Sequence, residues 1–129
     1  MVRRIFVLGA VLAVAVAAGA SAASSGLYTG KTSQELKISV KVSKGKVVKV
    51  DYTASYGSCG ELTGTDKVKI AIKSNKFSAT VHPNSETVDK LSGTFKGENV
   101  SGTLSSAVTT GGIHPTTCKS GKVTFKAKA

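Results

Sequence analysis

The cysteines and histidines of this chain, types that bind metal or attack a substrate, are Cys59, His82, His114 and Cys118. By number they make a Cys2His2 zinc set, but their spacings lack the close C-x-x-C or H-x-x-x-H pairing that lets one loop present two ligands. No metal and no cofactor is therefore expected. An isolated thiol acting as nucleophile beside His82 or His114 would have to survive unoxidised outside the cell. An even pair of cysteines in an exported chain instead reads as a disulfide between Cys59 and Cys118. Asp66, Glu86 and Asp89 fall in stretches read as loops, where two of them could supply the carboxylate pair of a glycosidase. Loop acids are ordinarily solvated charges. There is no G-x-S-x-G elbow, no H-E-x-x-H, no phosphate-binding glycine loop and no D-x-D-x-D-G loop. A small extracellular hydrolase using the loop acids or His114 is thus an alternative; the expectation is a protein without enzyme activity. Asn99-Val100-Ser101 matches a glycosylation sequon but sits in a tight turn.

Export is implied by the first 22 residues. Arg3 and Arg4 form a positive start, an apolar run of Ala and Val follows through residue 20, and Ala20-Ser21-Ala22 supplies small residues for cleavage. The run is shorter than the ~20 apolar residues that cross a bilayer, so cleavage after Ala22 is expected and a retained anchor is the alternative. Residues 23–129 then form a single domain, free in the extracytoplasmic space and carrying no transmembrane anchor.

Removing both arginines with the leader lowers the formal net charge from +11 to +9 and leaves lysine as the sole strong base. Such a surface adheres to polyanions. Specific nucleic-acid recognition leans on the guanidinium fork and on stacking aromatics. The first is missing, and Tyr28, Tyr52, Tyr56, Phe77, Phe95 and Phe125 fall mostly on the inward phase of strands. No specific nucleic acid is expected. Lys37, Lys41, Lys49, Lys67, Lys69 and Lys73 are ordinarily read as solvated strand faces that discourage edge pairing; as the minority reading they are candidate contacts to an anionic surface such as a cell-wall polymer.

These residues must be positioned by strands. In 36–42 Leu36, Ile38, Val40 and Val42 alternate with Lys37, Ser39 and Lys41, a period of two that puts the aliphatics on one face. Val48, Val50, Tyr52, Ala54 and Tyr56 repeat the pattern against Lys49, Asp51, Thr53 and Ser55, and Ser43-Lys44-Gly45-Lys46 reads as the hairpin turn between them. Val47 breaks the alternation, so either a bulge sits there or one valine is exposed. A short strand around Tyr28 precedes this hairpin. A loop is expected at 60–66, a second hairpin with arms 67–73 and 77–81, and a helical turn or irregular loop at 85–89. A third pair, 91–96 with 100–105, is followed by a polar loop at 107–120 and a closing strand at 121–128. With no 3.6-residue period after the leader, this is an all-β antiparallel meander of about eight short strands, folded as a sandwich or a partly closed barrel. Its core is modest for its ordering entropy, and a bridge closing the 60–117 loop is worth ~4 kcal/mol on the loop-entropy model.

The opening G-L-Y-T-G-K-T-S-Q at 26–34, the G-K-V turn at 45–47 and the closing C-K-S-G-K-V-T-F-K-A at 118–127 resemble a group of small secreted bacterial β-domains. The likeness covers nearly the whole of residues 23–129 and implies the fold and the staple, while no activity comes with it. Glu35 departs from the small residue expected at its turn. The resulting reading is a secreted, disulfide-stabilised, non-catalytic module for binding or cell-surface association. Its expected partner is an anionic cell-wall polymer or another extracellular protein. An inhibitor-like protein presenting the 109–117 loop is a further alternative.

Overall fold

A computed structural model describes residues 23–129; the expected signal peptide, 1–22, lies outside the described residues. Among the described residues eight strands follow one another: β1 Gly26–Thr32, β2 Lys37–Ser43, β3 Lys46–Ser55, β4 Glu61–Ala71, β5 Lys76–Asn84, β6 Thr87–Lys96, β7 Asn99–Thr109 and β8 Thr117–Lys128. Among the described residues a single 3₁₀ turn, Gly57–Cys59, is the one helical piece. All eight strands join one antiparallel sheet in the order β4-β3-β2-β1-β8-β7-β6-β5. That order is the chain's own order bent into a ring, in which β1 and β8 pair through Thr29↔Lys128 to Thr32↔Phe125. The sheet therefore curls into a nearly closed barrel rather than two stacked sheets, and the break in the ring falls mid-chain, between β4 and β5.

The turns follow from backbone sterics. Lys44 (φ 51°) with Gly45 (φ 74°), and Ser74 (φ 52°) with Asn75 (φ 62°), are two-residue turns with both centres left-handed, the type whose twist matches the flanking strands. Glu35 (φ 63°) is left-handed too, and its N–H donates to the Thr32 carbonyl at 2.9 Å. Thr32 Oγ1 accepts from Gln34 N–H and Leu36 N–H, which holds this turn without a glycine.

Alternation packs the interior. Tyr28, Val40, Val47, Ala54 and Leu104 have no exposed surface, and Tyr28 meets Phe95 edge to face at 5.2 Å between ring centres. Inward glycines make room for rings on the strand opposite: Tyr52 lies over Gly64, where a Cβ would sit 2.6 Å from the ring, and Phe125 over Gly102. Val47 is buried and the ladders on both sides of β3 shift register beside Val48, so the expected irregularity is a bulge and Val48, not Val47, leaves the inward face.

Several expected loops are strand instead. Residues 61–66 extend β4, and 87–89 begin β6 after a tight turn in which Glu86 N–H donates to Asn84 Oδ1 at 2.9 Å. The 107–120 loop contracts to 110–116, because β7 runs to Thr109 and β8 starts at Thr117. The second hairpin has its turn but little of its ladder: beyond the Lys73↔Lys76 bridge, β4 and β5 do not pair. Cys59 and Cys118 are bonded, tying the β3–β4 connection to the start of β8.

Candidate functional site

The barrel has a polar interior at its disulfide end. Tyr52 reaches in from β3, Asp66 from β4, Asp89 from β6 and Ser106 from β7, with Tyr56 just beyond β3. Asp66 and Asp89 have no exposed surface, and Ser106 is 1 % exposed. Tyr52 Oη donates to Asp89 Oδ2 at 2.6 Å, and Tyr56 Oη donates to Ser106 Oγ at 2.6 Å. Ser106 N–H donates to Ser120 Oγ at 2.9 Å, beside a register shift between β7 and β8. A second shift, between Val81 and Asn84, adjoins Asp89, which pairs with Val81 on one side and Ser106 on the other. Both side chains keep the period-two phase of their strands, Asp89 with Leu91 and Ser106 with Leu104, and the register shifts lie just beyond them. The network crosses the barrel from β3 and β4 to β6 and β7, the two halves that the open seam leaves unpaired.

Both oxygens of Asp66 and Oδ1 of Asp89 lack a hydrogen-bond partner. Two ionised carboxylates without such partners do not persist in a dry interior. Burial first, and the neighbouring Asp89 carboxylate second, push the Asp66 carboxyl up to about 8, so it holds a proton at neutral pH. Burial and the bond to Asp89 likewise raise the Tyr52 phenol, keeping it a donor. The expected loop positions of Asp66 and Asp89 are therefore corrected: both lie on the inward phase of strands and neither is a solvated charge. No substrate reaches them in this conformation. Glu86 is exposed at its turn, and His82 and His114 are exposed, His114 in the 110–116 loop. Among the described residues no group of three or more His, Cys, Asp or Glu could hold a metal ion.

The outer face of β1–β4 has its own order. Lys41 on β2 stands directly opposite Lys49 on β3, which stands directly opposite Lys67 on β4. Lys31 on β1 likewise stands between Lys37 on β2 and Lys126 on β8. The Val48 bulge produces the first row: an unbulged two-residue turn would set Val40, not Lys41, against Lys49. Between the rows, Thr29, Ser39, Thr53 and Thr63 line a shallow groove of about 550 Å³. Asp51 is the lone acid there, 3.7 Å from the Lys49 ammonium. Of the candidate anionic contacts, Lys37, Lys41, Lys49 and Lys67 join this array. Lys69 and Lys73 lie further along, beside the open seam, while Lys31 and Lys126 complete a row that strand-by-strand reading did not assemble.

Among the described residues no helix is long and apolar enough to cross a membrane. No protein-family model, curated protein or solved structure matches this chain. The likeness to small secreted β-domains rests on strand, turn and cysteine signatures alone.

Proposed function

We propose that the domain is an extracytoplasmic, non-enzymatic binding module whose β1–β4 face holds a linear acidic glycan of the kind found in cell walls. The carrying observation is the row Lys41–Lys49–Lys67. Like charges directly opposite in a sheet are destabilising, so three in a row with a single acid nearby favour a ligand that neutralises them over a merely solvated face. Neighbouring strands lie ~4.8 Å apart, and the row therefore offers an ammonium about every 5 Å across the strands. A polymer with one carboxylate per sugar matches that repeat, and the threonine and serine hydroxyls of the groove suit its hydroxyl groups. The disulfide and the apolar leader support export; an intact secreted mass beginning at Ala23 with no free thiol is the expected result.

The test is affinity electrophoresis in polygalacturonate, in neutral dextran and in duplex DNA. Retardation by polygalacturonate alone that persists to 0.5 M salt is expected, together with at least a tenfold loss of affinity in Lys41→Gln/Lys49→Gln/Lys67→Gln. Equal retardation of that variant, or binding to every polyanion that disappears by about 0.15 M salt, would sink the proposal.

One observation favours the inhibitor-like alternative: Ile113, at the tip of the 110–116 loop, is 93 % exposed. The loop is clasped at its base by Thr110 N–H to the Thr116 carbonyl at 2.8 Å and anchored by the nearby disulfide. Cross-linking from Ile113 that captures a protein partner, lost in Ile113→Ser, supports this reading; a loop that never captures a protein removes it.

A further inference from the structure

We propose that the open seam between β4 and β5 accepts an extended segment of a partner protein, in which apolar residues alternate with acidic ones, as a ninth strand that closes the barrel. Each of the two strands is hydrogen-bonded on one side only, β4 to β3 and β5 to β6, so two strand edges with free backbone groups border the same opening. Their turn, at Ser74-Asn75, holds just the Lys73↔Lys76 bridge before the arms part.

The cover missing from the core is localised at this place. Val40, Val50, Leu91, Val100 and Val123, inward aliphatics of fully paired strands, are buried to within 3 %. Along the seam, Val68, Ile70 and Ile72 on one side and Ala79 and Val81 on the other are half-buried, and of the apolar residues facing it Phe77 alone is buried. The same positions on the outer face carry Lys69, Lys73 and Lys76, all exposed. A groove of about 760 Å³ opens here, lined by Ile70, Phe77 and Ala79 with those three lysines.

A strand entering the seam would present alternate side chains to these two environments. Its inward residues complete the apolar layer, and its outward residues meet ammonium groups, which selects carboxylates. Backbone hydrogen bonds to both edges supply affinity, and the alternation supplies specificity. Edge lysines ordinarily repel further strands; here they repel basic and neutral strands and admit an acidic one.

The probe is an extended octapeptide of alternating Val and Glu added to residues 23–129 with the disulfide intact, read by amide exchange at 67–72 and 77–81. Slowing of at least tenfold at amides on both strands is expected. It should be lost when the peptide is N-methylated at alternate residues and weakened at least tenfold in the surface variant Lys69→Glu/Lys73→Glu. Unchanged exchange, equal protection by a Val/Lys peptide, or protection already present in the free protein together with a dimeric mass would each overturn the proposal, the last by making a second copy the occupant. Lys41 and Lys49 of the glycan row stand on β2 and β3, away from this seam, so the variant Lys41→Gln/Lys49→Gln keeps peptide binding.

Discussion

Among the described residues Tyr52 supplies the one hydrogen bond that reaches the buried acid pair from outside it, which makes it a sensitive polar residue of the interior. Tyr52→Phe keeps the ring over Gly64 and removes the donor to Asp89 Oδ2. Leaving that oxygen unpaired should cost about 1–3 kcal/mol, seen as a lower urea midpoint at unchanged slope; an unchanged midpoint would show that the bond contributes nothing. Asp66 sets a pH dependence of its own. Its carboxyl is raised in the folded protein to about 8 from an ordinary 3.8, so folding holds a proton that the unfolded chain releases. Stability from this group is full below about pH 4, falls as pH rises from 4 to 8, and is flat above. Asp66→Asn, which cannot ionise, should flatten the decline between pH 5 and 9 and be the more stable form at pH 9; parallel curves for the two proteins would refute it. The positions of both acids were legible in principle. Counting back by two from Val68 reaches Asp66, and from Leu91 reaches Asp89, so period-two phase puts both inside. Ending those strands where the apolar residues ended hid them, because a carboxylate on the inward phase ordinarily marks a strand's limit. What phase could not reveal was the partner: Tyr52, 37 positions from Asp89, is brought there by the closure of the sheet.

Strand and turn content was largely legible, because alternation and left-handed turn residues are local. The bulge at Val48 shows where local pattern determines more than it first suggests. With Lys44-Gly45 as the turn, simple pairing sets Val40 against Lys49, one residue facing in and the other out; only an extra residue in β3 restores Val40↔Val50 and Lys41↔Lys49. Pairing of β4 with β5 was expected for the same local reason and fails beyond one bridge, since ring curvature and not the turn decides whether the arms meet. Each lysine row needed register across three strands, which no single segment encodes. The turn itself offers a test at this scale. Lys44 holds φ 51° ahead of Gly45, where Asn is preferred. Lys44→Asn should raise stability by about 0.5–1 kcal/mol, measured as a higher denaturation midpoint with glycan binding intact; a lower midpoint would mean that Lys44 makes a contact worth more than its strain.

For the whole molecule, the bridge between Cys59 and Cys118 joins parts 59 positions apart across the disulfide end of the barrel. Cys59→Ser/Cys118→Ser should lose about 2–4 kcal/mol, with the loss appearing first as faster amide exchange in the 110–116 loop and in β4. Uniform loss across the sheet would instead make the bridge a global constraint on the unfolded chain. The ring order also has a consequence for connectivity. Hydrogen bonding runs unbroken from β4 through β1 and β8 to β5, so the two edges of the sheet are joined by the Ser74-Asn75 turn, while the first and last strands are ordinary neighbours inside it. A circular permutant cut between Ser74 and Asn75, with residue 129 joined to residue 24 by a short linker, would thread the strands in spatial order from one edge to the other. It should fold with its core unchanged and lose only the clasp that limits how far the seam can widen. In such a permutant the seam becomes an adjustable opening, and the barrel's circumference a property of what occupies it.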